Sequence, residues 1–507
     1  MDKTYKIKNF AKWLGLITGP LLAILIYSYL PSSYTDGSGT LISFSSAARA
    51  TAALAVWMAV WWMTEAIELY ATALLPLVVL PLTDSVPLQA ASAPYAHELI
   101  FLFLGGFFLA LAMERWGLHQ RIAIRALMTV RGQPLGIIAC CMGVTAFLSM
   151  WVSNTATTIM MIPIAVSIIK MVESNKTDLN RKELNGKSIS NFSVALLLGI
   201  AYAASIGGIG TIIGTPPNIF LVSFIKDTYD LEISFVRWMG LGVPLVVIFI
   251  PITWFILTKV IYPIRNLDIG IGIKSKDSTF KLIGPISRGE VMTLAVFLLT
   301  AGAWITRPIL NGIHFGDIQP FAKLTDSVIA MSAGLMLFIL PVELKRRIFV
   351  LDWNTAVKTP WGVLLLFGGG LSLANAIRIN GVDEFIGNQL SGLGGIPTFC
   401  LVVLVIGLVI FLTEMTSNTA TTATLIPILA ALSTGFNMHP FMLIVPAAMA
   451  ASCAFMLPVA TPPNSIIFGS GYVTIQKMIR AGLFLNFIGM ALITLLTYTI
   501  MIWILGN

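Results

Sequence analysis

Apolar runs of 14 to 33 residues follow one another along the whole chain, separated by short polar stretches in which the charged residues gather. Runs of this kind cross a bilayer core of about 30 Å as helix, and they recur too often to be the core of a water-soluble domain. The pattern predicts eleven spans, at 13 to 30, 47 to 64, 69 to 82, 98 to 116, 192 to 224, 236 to 262, 290 to 310, 326 to 342, 360 to 377, 441 to 470 and 479 to 505. Two further apolar runs, 135 to 172 and 396 to 432, are each interrupted midway by Ser-Asn-Thr. Each predicts a helical hairpin that dips into the membrane and returns to the side it entered. A basic segment before Trp13 mimics the start of a signal peptide, but no small-residue cleavage site follows, so the run to Leu30 reads as a retained first span.

Composition sharpens this picture. The 507 residues are 57% hydrophobic and 11% charged, which excludes an ordinary soluble enzyme, since soluble domains carry about 25% charged residues. A net charge of +8 would suit nucleic acid if the basic residues formed a patch, but they sit in short loops between spans, the footprint of membrane orientation. Sorting the 31 Lys+Arg over the predicted loops places 23 on one side, five on the other and three at span ends. The richer side is the inner one, so the N-terminus is expected inside and the C-terminus outside the cytoplasmic membrane. Had either interrupted run crossed only once, every later basic loop would change side, which favours two hairpins. Cys140, Cys141, Cys400 and Cys453 lie within apolar segments and show no CxxC or Cys/His spacing, so neither a disulfide frame nor a metal-ligand cluster is expected.

The chain repeats itself. Ser153-Asn154-Thr155-Ala156-Thr157-Thr158 returns unchanged as Ser417-Asn418-Thr419-Ala420-Thr421-Thr422, and Ile162-Pro163-Ile164 returns as Ile426-Pro427-Ile428, both at an offset of 264. Gly105-Gly106, Ala110 and Gly117 match Gly369-Gly370, Ala374 and Gly381 at the same offset. Thr215-Pro216-Pro217-Asn218 returns as Thr461-Pro462-Pro463-Asn464 at 246, and the missing 18 residues correspond to a polar insert, Glu173 to Ser190, present only in the first copy. Five predicted crossings separate the two Ser-Asn-Thr motifs, an odd number, so the second copy is expected upside down relative to the first. An all-α polytopic protein with an inverted repeat and broken helices has the architecture of a secondary transporter.

Ser-Asn-Thr at a membrane bend supplies hydroxyl and amide groups, and the helix that follows offers free N–H groups and the positive end of its dipole, which suits an anion. Two such tips approaching from opposite faces suit two carboxylates of one substrate, met by Asn154 and Thr155 at one end and Asn418 and Thr419 at the other. The plainer alternative is that Ser-Asn-Thr only caps a helix. The run from Ile206 to Asn218 cannot stay regular helix, because its glycines weaken it and Pro216-Pro217 removes two donors. Carbonyls freed at such a break can hold Na⁺, and the second copy is expected to break from Ala460 to Asn464. Gly210 and Gly214 also fit a helix-packing motif, and the glycine run brushes against nucleotide-loop patterns without their strand or lysine. Glu414, three residues before the second motif where the first copy has Met150, suits either a coupling proton or a hydrogen-bonded structural carboxylate. Glu65 and Glu68 are expected at a solvated turn, and His97, His119, His314 and His439 on solvated surface. Gly117 to Arg131 and its partner Gly381 to Leu393 read as amphipathic helices in the inner and outer interfaces.

The paired Ser-Asn-Thr hairpins, the paired Thr-Pro-Pro-Asn loops and the phrase WWMTEAIELYATALLP together resemble the divalent anion/sodium symporter family over nearly the whole chain. The resemblance implies a homodimer with eleven spans and two hairpins that moves C4-dicarboxylates such as succinate, malate or fumarate, or citrate, usually with Na⁺, by an elevator-like motion. A scaffold of residues 1–134 and 263–395 would then carry a transport body of residues 135–262 and 396–507. Matched residue by residue, a first sodium site falls on Ser149, Ser153, Asn154 and Gly214, and a second on Thr413, Thr416, Asn418 and Ala460. The substrate would meet Asn154, Thr155, Ser417, Asn418 and Thr419, and Thr at the third motif position leans toward dicarboxylates over sulfate. Glu68 departs from the family pattern, which often has Pro there. Some members are Na⁺-independent exchangers. A Na⁺/H⁺ antiporter would bury acidic residues at its broken helices, where only Glu414 comes close, and no catalytic constellation for an enzyme is present in the spans.

Overall fold

The computed structural model describes residues 3–35, 39–130, 133–174, 182–264, 284–314, 318–391, 397–436 and 438–501. Residues 175–181 of the polar insert, 265–283 of the long loop before Arg288, the end of the last predicted span beyond 501, position 131 of the first amphipathic segment and positions 392 and 393 of the second lie outside them. The chain is mostly helical. Among the described residues eight helices are long and apolar enough to cross a membrane, and five shorter apolar helices accompany them, among them Leu69–Leu82, Asp326–Ile339 and Phe441–Ala451.

Each of the eleven predicted spans is mainly helix where it is described, but several are less regular than a sequence window suggests, and that at 326 to 342 ends in a strand. The first helix begins at Lys3 and runs to Tyr29, so the basic leader continues the span without a joint. The third span is two pieces, Leu69–Thr72 and Leu75–Leu82, the second opening with Pro76 where a missing N–H costs nothing. Two small antiparallel strand pairs, Ser33–Thr35 with Leu41–Ser43 and Pro341–Glu343 with Ile348–Phe349, depart from the all-α expectation. Both stand in loops, where extended backbone finds partners without interrupting a span.

Phe10, Trp13, Ile17, Leu21 and Ile24 of the first helix are exposed, as are Leu298, Leu299, Ile305 and Ile309 of Arg288–Asn311. Such lateral apolar surface is not stable in water and suits contact with lipid. Inside, Lys3–Tyr29 packs on Ser46–Thr64 and Glu98–Arg115 packs on Asp326–Ile339. The two breaks predicted near the Thr-Pro-Pro-Asn motifs are present: Lys182–Gly208 resumes as Pro216–Tyr229, and Phe441–Ala451 resumes as Pro462–Gly469. The resumed halves are exchanged. Pro216–Tyr229 packs against Asn418–Gly435 of the second hairpin, and Pro462–Gly469 packs against Asn154–Ser174 of the first.

The helices Leu118–Met128 and Val382–Ser391 follow glycines at positive φ, Gly117 at 69° and Gly381 at 64°, a conformation that an L side chain would strain. Their surroundings correct two histidine expectations. His119 is buried, with Nδ1 2.9 Å from the Met113 carbonyl, and burial pushes its imidazole pKa below the usual value. His97 is tied to Asp227 at 2.9 Å, whereas His314 and His439 are exposed as expected. Arg121 is also buried. Its Nε and Nη2 reach the two carboxylate oxygens of Glu290 at 2.6 and 3.0 Å, and its remaining donors reach the Gly284 and Pro285 carbonyls at 3.2 Å.

Candidate functional site: two hairpin tips and two helix breaks

Each hairpin consists of a 16-residue arm, Pro134–Ser149 or Thr398–Thr413, a four-residue bend, and a second helix that starts at the motif asparagine, Asn154 or Asn418. Sixteen residues rise only about 24 Å, short of the bilayer core. The first turns of the second helices leave N–H groups without intrahelical partners. In the first copy Ser153 Oγ accepts from Ala156 N at 3.2 Å, so this serine does cap its helix; Ser417 makes no such side-chain cap. Asn154, Thr155, Ser417, Asn418 and Thr419 are all half-buried at the tips, open enough to meet a ligand.

Behind each tip the same cluster recurs. Ser149 Oγ lies against Asn154 Oδ1 and is 2.7 Å from the Ala204 carbonyl; Thr413 Oγ1 is 2.7 Å from Asn418 Oδ1 and 3.1 Å from the Ala451 carbonyl. A hydroxyl has one proton to give. One hydroxyl proton therefore faces two acceptor oxygens in each copy, which leaves lone pairs that a small cation would balance. The first cluster also includes the break. The Cβ position of Gly208 is 2.8 Å from Asn154 Oδ1 and 3.1 Å from the Gly214 carbonyl, so Asn154 and Gly214 converge on one point that only a glycine leaves open. The donor set of hydroxyl, carboxamide and carbonyl oxygens fits a hard monovalent cation and offers no thiolate or imidazole for a transition metal.

The remaining predicted cation residues divide. Ser153 is exposed at the bend and occupied as a cap, and Thr416 Oγ1 is engaged with the Leu412 carbonyl at 2.9 Å and Thr421 Oγ1 at 2.7 Å. Ala460 lies in the second break, where its N–H donates to the Leu457 carbonyl at 3.2 Å, and no hydrogen bond joins it to Thr413 or Asn418.

Sequence reasoning noticed the Thr-Pro-Pro-Asn motifs for their prolines but missed the work of their asparagines. Asn218 Nδ2 reaches the carbonyls of Gly208, Ile209 and Thr211 at 3.1, 3.3 and 2.8 Å, and Asn464 Nδ2 reaches those of Ala454 and Leu457, both at 3.1 Å. Both side chains are fully buried, and each clamps the open break of its own repeat. Trp238, also fully buried, donates its indole N–H to the Ile209 carbonyl at 3.0 Å. Glu414 is the hydrogen-bonded carboxylate of the two alternatives: Oε1 accepts from Phe455 N at 2.7 Å, Met456 N at 2.9 Å and Asn486 Nδ2 at 2.8 Å, while Oε2 accepts from Met456 N and Leu457 N at 3.0 Å each. The recurrence of Asn at one offset was the available signal for the clamps. Nothing local could have announced Asn486 or Trp238.

The family described as sodium:sulfate symporter transmembrane region matches residues 22–505. The chain belongs to that family. It is 41% identical over 508 residues to a sodium-dependent dicarboxylate transporter, SdcS, of Staphylococcus saprophyticus, covering 99% of this chain and 94% of the relative. The protein of the same name from Staphylococcus aureus strain USA300 is 41% identical over 513 residues, covering 100% and 94%. Among solved structures, the YdaH transporter of Alcanivorax borkumensis superimposes with a TM-score of 0.56 at 13% identity over 97% of this chain and 98% of its own. MtrF of Neisseria gonorrhoeae gives 0.54 at 13% identity over 99% and 95%. At that identity the two structures speak for the fold alone, that of a polytopic membrane transporter.

Proposed function

We propose that this protein carries C4-dicarboxylates across the cytoplasmic membrane together with Na⁺. It is a transport protein and not an enzyme. The observation that carries the reading is the duplicated cluster in which one hydroxyl faces both a carboxamide oxygen and a backbone carbonyl directly behind each Ser-Asn-Thr tip. The names of the two staphylococcal relatives, sodium-dependent dicarboxylate transporters, support the same substrate and the same coupling ion.

The chemistry of coupling follows from the asparagines. A carboxamide offers oxygen on one side and two N–H donors on the other. With Oδ1 of Asn154 or Asn418 turned into its oxygen cluster, Nδ2 is left to face the tip, where Thr155, Ser417 and Thr419 add hydroxyls. Na⁺ held at the cluster fixes the amide with its donors toward a carboxylate, and the carboxylate in turn strengthens the hold on the cation. That coupling is reciprocal by necessity. Two cations beside one dianion also bring the cargo to zero net charge, which removes most of the cost of enclosing it within the membrane.

In this reading Asn154 and Gly214, with Ser149 and Ser153, serve the first cation, and Asn418 with Thr413, Thr416 and Ala460 serves the second. The repeats have opposite orientation, the transport body of residues 135–262 and 396–507 moves as an elevator against a scaffold of 1–134 and 263–395, and two copies pair through the scaffold. Eleven crossings put the termini on opposite sides, and the bias of basic residues supports the N-terminus inside and the C-terminus outside. The test is uptake of radiolabelled succinate into proteoliposomes with and without an inward Na⁺ gradient, and with or without succinate inside. Na⁺-driven accumulation in empty vesicles is expected. Uptake that ignores Na⁺ and needs internal succinate would make the protein an exchanger, and uptake of sulfate alone would replace the substrate.

A further inference from the structure

The two repeats share the plan of their tips and clamps but differ in charge at one place, and the geometry points to a function for the difference: Glu414 is a positioning residue that makes the second cation site the stronger of the two and the first to fill. The inference rests on the Na⁺-coupled reading above.

Glu414 directly follows Thr413, whose hydroxyl belongs to the second cluster, and its carboxylate accepts from the N–H groups of three consecutive residues, Phe455, Met456 and Leu457. Those residues open the break that ends in Ala460 and Thr461. Glu414 thus joins the bend of the second hairpin to the break of the second broken span. In the first repeat the corresponding stretch closes on itself: Ile209 N donates to Ile206 O and Gly210 N to Gly207 O, and the residue at the place of Glu414 is Met150, whose backbone carbonyl accepts from Thr211 Oγ1 at 2.5 Å. The first break is held by neutral backbone turns. The second is held by an acidic group whose two oxygens both act as acceptors.

Every recorded partner of Glu414 is neutral. Among the described residues no Lys, Arg or His pairs with it, and it is 3% exposed. Its N–H donors stabilise the anion locally, but the charge itself stays uncompensated in a medium of low dielectric. A cation held by Thr413 and Asn418 would sit next in the chain to Glu414 and supply the compensation, while Met150 at the corresponding place brings no charge to a cation held by Ser149 and Asn154. Equal oxygen clusters therefore carry unequal fields, and Na⁺ enters the second site before the first.

The experiment compares the wild type with Glu414→Gln and Glu414→Asp. The Na⁺ dependence of thermal stability is measured on the purified full-length proteins without substrate, and the Na⁺ dependence of succinate uptake in proteoliposomes. The wild type should respond to Na⁺ in two steps. Glu414→Gln should lose the step at lower concentration and need about tenfold more Na⁺ for half-maximal uptake, while the succinate KM at saturating Na⁺ stays within about threefold. Glu414→Asp, which keeps the charge on a shorter arm, should stay closer to the wild type. Equal Na⁺ curves for wild type and Glu414→Gln would overturn the inference, as would failure of both variants to fold, which would make Glu414 a structural brace only. A wild type that ignores Na⁺ would instead sink the functional reading, so the two failures are distinguishable.

Discussion

Gly208 stands where the first cation is expected, and Gly208→Ala tests that placement with a single methyl group. The added carbon would lie 2.8 Å from Asn154 Oδ1, 3.2 Å from its Nδ2 and 3.1 Å from the Gly214 carbonyl, all inside ordinary van der Waals contact. The Gly214 carbonyl belongs to a backbone turn whose start, Thr211, is held by Asn218, so the Asn154 side chain is the freer group to yield. Overpacking of this size costs about 1–3 kcal/mol. Borne by the cation-loaded form, it lowers Na⁺ affinity about 5- to 150-fold. The assay is the Na⁺ concentration for half-maximal succinate uptake, with thermal unfolding as a check on the fold. Gly143→Ala is the control: it lies in the first hairpin arm with nothing within 4 Å of the added carbon. That change gains helix propensity of about 1 kcal/mol and should leave the Na⁺ curve in place. A Gly208→Ala protein with the wild-type Na⁺ requirement would refute the placement. The corresponding residue of the second repeat is Ala454, so the effect is specific to the first site.

Three further outcomes are expected. Asn154→Ala and Asn418→Ala should each abolish uptake while leaving expression intact, and near-normal transport by either would remove that tip from the substrate site. Arg121→Leu strands the buried Glu290 carboxylate and should cost about 3–5 kcal/mol in unfolding measurements, with much of the loss recovered by also changing Glu290 to Leu. Burial lowers the pKa of His119, so the unfolded chain binds a proton that the folded one resists. Stability should then rise with pH and be lost as pH falls below about 6.5, and unfolding midpoints between pH 8 and pH 5 should flatten in His119→Gln.

The features that sequence revealed here are those that leave a local trace. A span is a run of apolar residues, a hairpin bend is a polar word inside such a run, and a repeat is the same word twice. The hairpins, the breaks and the half-buried tips could be read on that basis. Pairings between distant positions leave no such trace. His119 looks like a loop residue until the Met113 carbonyl is beside it, and Arg121 looks like a solvated charge until Glu290 arrives from 169 residues away. The third span read as one run because Leu, Val and Pro are all apolar, yet its backbone is two short helices. Family likeness offered Ser153 and Thr416 as cation ligands, but gave no sign that the first also caps a helix or that the second also meets a neighbouring threonine.

The exchanged packing of the resumed helices bears on how this protein can be made. Pro216–Tyr229 rests on a hairpin that begins at Thr398, and Pro462–Gly469 returns to a hairpin that begins at Pro134. When the ribosome has delivered the first half into the membrane, that half still lacks the surface on which its own broken helix settles. It must wait in the lipid, unfinished, until more than 150 further residues have been inserted. Neither half is then expected to be a viable fragment: expressed alone, each should be cleared by membrane proteases, and the two should survive only when synthesised together.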